Sequence, residues 1–309
     1  MHRTISEPVS FTGIGLHGGQ SVRLVLMPAA AGSGIRFVRS DVDAAHSMIP
    51  ARYDLVSDTR LCTRLTNAHG VSVSTVEHLM AALAGCGVSD VVAWIDGPEV
   101  PILDGSSLLF VQELNRVGLR DLGATRRAIR VLKPITVEKD GRLATLMPCD
   151  RTEIAVTIRF DDPAIGEQAY EVALEGGRFA SELSDCRTFC MLSDVEQLRK
   201  IGLARGGGLE NAVVVDNGRV LNPEGLRRAD EFVRHKVLDA IGDLALAGAP
   251  IIGRYEGVLS GHEMTNLLLR ALFKAPSGSW EWTDAGVDAL PDMKSPIPLG
   301  SDHPITLAV

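Results

Sequence analysis

No stretch of this sequence reaches the roughly 18 to 20 apolar residues that a helical membrane span requires. The longest candidate, "LALAGAPIIG", is short and interrupted by Pro250. The opening "MHRTISEPVSFTG" lacks the basic and apolar segments of a secretory leader and runs at once into mixed polar sequence. A concentrated basic face is also missing: 31 Lys and Arg stand against 39 Asp and Glu, for a net charge of -8. That balance argues against a nucleic-acid partner and leaves small anionic ligands held by a few local cations. Cysteine is scarce and unpatterned, five residues with Cys186 and Cys190 as the one near pair, which fits reduced thiols better than a disulfide framework. These absences predict a cytoplasmic protein with at most peripheral membrane contact.

What is present describes a folded chain. Apolar residues at 45% and charged residues at 23% argue against long disorder. A length of 309 residues exceeds what one core usually supports, so about two domains are expected. The first third alternates strand-like runs ("SVRLVLMPA", "GIRFVRS", "VVAWID") with turns and places a helix at "STVEHLMAALAGCG". "LRDLGATRRA" interrupts any apolar period, and the pattern then restarts with "AIRVLKPITVE", "LATLMP", "EIAVTIRF", the Gly-rich "GLARGGGLENAVVV", a helix at "DEFVRHKVLDAIGDL" and a strand at "PIIGRYEGVLSGH". The expected divisions are 1–121, 128–275, and a C-terminal segment and tail, 276–309. Both halves place strands first and a His-bearing helix later, an α+β arrangement repeated. "VEHLMAALAG" and "VRHKVLDAIG" share Val, His and Gly at matching offsets, a weak sign of duplication.

Chemistry concentrates on the second helix. His235, Asp239 and Asp243, at i, i+4 and i+8, lie in one stripe with Lys236 beside it, while Val233, Val237, Ile241 and Leu244 take the other side. Such a stripe is ordinarily the solvent face. It is equally a chelating geometry for a borderline ion such as Zn²⁺, which accepts imidazole nitrogen and carboxylate oxygen. A third ligand would be His78, with Glu77 as a base beside the metal, although Ser74 and Glu77 also match a capping box. In "SGHEMTN", Gly261 suggests a turn that presents His262, a general acid if Asp243 holds its Nδ1 proton. His17 either sits near this site or ends a turn. Asp104 either supports the site or caps a helix.

The segments "GIGLHGG", "STVEHLMAALAG", "PILDGS", "RTF", "GGLENAVV", "EFVRHKVLDAIGDL" and "SGH", in this order, resemble the UDP-3-O-acyl-N-acetylglucosamine deacetylases, zinc enzymes of lipid A synthesis. The resemblance spans nearly the whole chain. It implies two similar α+β domains packed face to face with the active site between them, and an insert near 192–213 forming an apolar passage for the acyl chain. It implies that His78, His235 and Asp239 hold Zn²⁺, that Glu77 is the general base, and that Asp243 orients His262 as general acid. Thr188 and Lys236 would stabilise the oxyanion, with Lys236 also within reach of the diphosphate. Phe189, Asp194 and Met191 would line the sugar site and acyl passage, Phe160 would pack on uridine, and Arg142 would contact phosphate.

The implied reaction is hydrolysis of the N-acetyl group of the UDP-linked substrate, releasing acetate. A zinc amidase acting on another N-acylated sugar and a non-catalytic nucleotide-sugar-binding protein are the competing expectations. Cys190 and Met191 follow "RTF" where Gly and an aromatic are common, Asp162 stands where His is common, and Leu259 where Lys is common. These departures bear on substrate detail rather than on the metal set. The apolar end "ITLAV" raises the further expectation of protease recognition of the C-terminal tail.

Overall fold

A computed structural model of the chain describes residues 1–285. "ITLAV" and most of the expected tail lie outside the described residues. In the first half, β1 (Arg3–Ile5), β2 (Val9–Ile14), β3 (Ser21–Pro28), β4 (Ile35–Arg39), β5 (Met48–Pro50), β6 (Val56–Asp58), β7 (Arg64–Thr66) and β8 (Ser72–Val73) precede α1 (Glu77–Gly85). β9 (Val91–Ile95), α2 (Leu108–Val117) and β10 (Leu119–Asp121) follow. The second half runs β11 (Arg127–Val131), β12 (Ile135–Lys139), β13 (Arg142–Met147), β14 (Thr152–Arg159) and β15 (Glu167–Ala173), then β16 (Phe189–Met191), α3 (Leu192–Lys200), β17 (Val213–Asp216) and β18 (Arg219–Val220). It ends with α4 (Glu231–Ala245), β19 (Ile251–Val258), α5 (His262–Lys274) and β20 (Trp280–Asp284).

The two halves repeat one topology. The first sheet has the order β2-β3-β9-β4-β5, with β9 antiparallel to β3 and parallel to β4. In the second, β12, β13, β19, β14 and β15 pair in the same order and the same directions. In each half the strand that enters last, β9 or β19, directly follows the His-bearing helix, α1 or α4. The matching offsets in "VEHLMAALAG" and "VRHKVLDAIG" therefore lie on equivalent helices. The second sheet is extended by β11 and β20, which pair with each other, while β11 also runs parallel to the start of β19. The run "AIRVLKPITVE" is two strands rather than one, because Pro134 has no N–H to donate and separates β11 from β12. β10 pairs back onto β1, so the chain passes between the sheet systems after Asp121.

α1 and α4 pack against each other, and α4 and α5 lie on the second sheet. Leu79, Met80 and Leu83 of α1 and Phe232, Val237 and Leu238 of α4 are all at most 1% exposed. Each such side chain contributes about 1.5–3 kcal/mol relative to exposure. The helices come so close that a Cβ on Gly242 would lie 2.0 Å from the Glu77 carbonyl oxygen. At the matching position of the other helix, a Cβ on Gly85 would meet the Phe179 ring at 2.1 Å. The shared Gly is thus a packing requirement in both helices. Residues 189–220, which contain the stretch 192–213, form a small parallel β16-α3-β17 unit closed by β18.

Candidate metal centre

His78 stands in the first turn of α1, and His235 and Asp239 stand one turn apart on α4. The close helix crossing brings the three together. His78 Nε2 lies 3.5 Å and His235 Nε2 3.3 Å from the same oxygen, Asp239 Oδ1. Ligands held tetrahedrally at about 2.0–2.1 Å from zinc stand about 3.3–3.4 Å apart, so the spacing fits one ion. Asp239 Oδ1 is buried and has no hydrogen-bond partner among the described residues. An orphaned buried carboxylate oxygen facing two imidazole nitrogens is the donor set of a mononuclear Zn²⁺ site.

The surroundings keep these donors ready. His235 Nδ1–H donates to the Cys186 carbonyl at 3.0 Å, which leaves Nε2 with its lone pair toward Asp239. Burial pushes His235 down to about 3, helped by the charges of His78 and Lys236 and opposed by Asp239. The ring is neutral, as a ligand must be. Asp239 is held well below the usual carboxylate range: burial acts against this, but His235 and Lys236 outweigh it. Lys236 Nζ donates to Asp239 Oδ2 at 2.8 Å, so the cation is committed to the ligand's second oxygen. The stripe on α4 is not a solvent face, since His235, Asp239 and Asp243 are all buried.

Next to the triad lies a pair of groups of opposite character. The Glu77 carboxyl is raised, first by burial, against the pull of His262 and His78. The expected Ser74 capping box is absent: Val76 occupies the N-cap position without a side-chain bond. Glu77 Oε2 instead accepts the Thr63 N–H at 3.0 Å, and its Oε1 lies 3.9 Å from His262 Nε2. His262 is the first residue of α5 rather than a loop residue. Its Nδ1–H donates to Asp243 Oδ2 at 2.8 Å. Burial alone would lower His262, yet the carboxylates of Asp243, Glu77 and Asp239 raise it to about 10. The imidazole is therefore protonated at neutral pH.

Thr63 carries no sequence signal, yet it serves both carboxylates. Its hydroxyl donates to Asp243 Oδ1 at 2.6 Å while its N–H serves Glu77. The motif "RTF" is fixed through Arg187, which is 1% exposed and donates from its N–H and Nε to Glu231 at the start of α4. Thr188 follows, half-buried, with its N–H on the Gly105 carbonyl.

Phe189 leads outward from the metal centre, edge-on to His235, Phe232 and Phe160, with Phe160 partly exposed. Met191 ends β16, and Asp194 is exposed in the first turn of α3. Arg142 is engaged by Glu263, the neighbour of His262. Asp104 sits in a turn, accepts from Ser106 and pairs with Arg227. His17 lies in the turn between β2 and β3, its N–H donated to Glu99 and both ring nitrogens without partners among the described residues.

Fold and site together define a zinc-dependent hydrolase built from two sheet-and-helix repeats, with a His-His-Asp centre between them flanked by a buried carboxyl and an imidazolium. The family model for UDP-3-O-acyl N-acetylglycosamine deacetylase (LpxC) matches residues 2–274, and the chain belongs to this family. The UDP-3-O-acyl-N-acetylglucosamine deacetylase of Phenylobacterium zucineum is 52% identical over 273 residues, covering 88% of this chain and 93% of that one. Those of Anaeromyxobacter sp. strain Fw109-5 and Legionella pneumophila strain Corby are each 46% identical, over 89% and 91% of this chain and 89% and 92% of their own.

Proposed function

We infer that this chain hydrolyses the N-acetyl group of UDP-3-O-acyl-N-acetylglucosamine, giving acetate and UDP-3-O-acyl-glucosamine, a step of lipid A biosynthesis. The observation that carries the reading is the convergence of the His78, His235 and Asp239 donors beside Glu77 and His262 in a chain of this family. When bound, Zn²⁺ supplies Lewis acidity, lowering the pKa of water toward about 7 and polarising the amide carbonyl.

The chain's own residues do the proton work. Glu77, raised by burial, takes a proton from the attacking water; an ordinary carboxylate would be a weaker base. His262, kept protonated by Asp243, gives a proton to the departing amine nitrogen, without which an amide has no good leaving group. Asp243 acts only through His262. Thr188 and Lys236 face the developing oxyanion, and Lys236 must then share its charge between Asp239 and the substrate.

For the rest of the substrate, Phe189, Asp194 and Met191 border the sugar and acyl groups, Phe160 offers an aromatic edge to the uracil, and Arg142 serves the diphosphate. Chain segment 192–213 forms the acyl passage. The units are 1–121 and 128–275, with 276–309 as a C-terminal segment. A UDP-linked substrate and five free thiols accord with a cytoplasmic location. Among the described residues no helix is long and apolar enough to cross a membrane.

Acetate release from the UDP-linked, 3-O-acylated substrate tests this directly. The Glu77→Gln variant is expected to keep about one zinc per chain while losing about 10²–10⁴ in kcat. Equal activity on plain N-acetylglucosamine would instead point to a general amidase, and nucleotide-sugar binding without acetate release to a non-catalytic protein.

A further inference from the structure

A cavity of about 400 Å³ lies between the two halves and shares no residue with the metal centre. The metal-side residues come from His78, His235 and Asp239, whereas this cavity is bordered by the last turns of the same helices, Ala84 and Gly85 of α1 and Leu244 and Ala245 of α4. Its volume falls within the range of about 300–1,000 Å³ typical of small-molecule sites. The floor is apolar, with Leu146, Ile154, Phe179, Ile241 and Ile251 contributing.

The polar groups around it are one-sided. Four arginines line the cavity, and no aspartate or glutamate among the described residues does. Arg52 and Arg178 are paired to Asp54 and Glu182. Arg36 and Arg126 are not so engaged: the buried Nε of Arg36 has no partner among the described residues. Burial pushes Arg126 down to about 10, against the pull of Asp90. Asp90 cannot serve it fully, because its carboxylate already accepts from Ser89, His2 and the Gly34 N–H. A half-buried guanidinium without a counter-charge is costly, and an entering anion with hydrogen-bond acceptors relieves that cost.

The geometry points to a binding site for a single-chain alkyl anion, its chain on the apolar floor and its carboxylate or phosphate head against Arg36 and Arg126. Both head groups satisfy the same donors, and the relative affinity of the two probes below separates them.

Isothermal titration of the zinc-loaded full chain with decanoate, decyl phosphate and decanol tests the site. At least one anion is expected to bind at one per chain, with decanol at least tenfold weaker. Replacing Arg36→Gln and Arg126→Gln together should weaken the anion at least tenfold and leave decanol unchanged. Asp239→Ala should leave anion binding intact, which separates this cavity from the metal centre. Should the double variant fail to fold, Ala245→Leu narrows the cavity without touching a charge and should likewise weaken the anion. Absence of binding by either anion, equal binding of decanol, loss of binding with Asp239→Ala, or undiminished binding in the folded arginine or Ala245 variants would overturn the proposal.

Discussion

At the residue scale the centre depends on pairs in which one member sets the state of the other. Asp243 is the clearest case. Its carboxylate is the largest influence raising His262 against burial, so Asp243→Asn should let the imidazole pKa fall from about 10 toward its ordinary value. An acid is active below its pKa, so the alkaline limb of the kcat–pH profile should move to lower pH, while zinc content stays near one per chain. An unmoved limb would remove Asp243 from this role. Thr63→Val keeps the N–H on Glu77 but deletes the hydroxyl on Asp243. It should cost about 1–3 kcal/mol of stability and lower kcat with little change in KM, measured by thermal melting and steady-state rates. The metal ligands were legible in the sequence through the order of short motifs, whereas helical spacing alone favours a solvent face, because periodicity does not reveal what covers a stripe. Thr63 was not, since it acts on Glu77 and Asp243 from a loop by one N–H and one hydroxyl, and neither leaves a periodic trace.

At the element scale the two shared glycines differ in what they face. Gly242 faces backbone of α1, whereas Gly85 faces an aromatic side chain. Gly242→Ala should therefore destabilise by about 3 kcal/mol and disturb the Glu77 and His78 positions, because a carbonyl cannot move aside. Gly85→Ala should be relieved by a second change, Phe179→Leu, whereas no single side-chain trimming should rescue Gly242→Ala; thermal melts of the three variants decide it. The sequence showed the two His-bearing helices and the central strands of each sheet, since apolar periodicity is a local property, but not α2, α3 or α5. It did not show that Pro134 splits one run into β11 and β12. That outcome depends on a partner distant along the chain, Trp280–Asp284, which pairs with β11.

At the scale of the whole molecule, one ion would join the halves, because His78 belongs to the first repeat and His235 and Asp239 to the second. Zinc binding is then also interdomain adhesion. Removing zinc by chelation should lower Tm reversibly, by the equivalent of about 4 kcal/mol when free zinc is 1,000-fold above its Kd, and Asp239→Ala should show no zinc-dependent shift. An unchanged Tm on chelation in the unaltered protein would refute this coupling. The repeat was read from the order of elements in the two halves, with only three shared residues on the helices to support it, because a shared topology does not require shared side chains.

The matched helices also record how unequal the two copies have become. Superposing His78 on His235 sets Ala82 opposite Asp239, Cys86 opposite Asp243 and Arg234 opposite Glu77. The second helix carries the carboxylates beside the metal donors and His262, and the first carries the buried carboxyl of Glu77. Neither helix holds a complete centre, so the site exists only at the asymmetric seam where the two repeats meet.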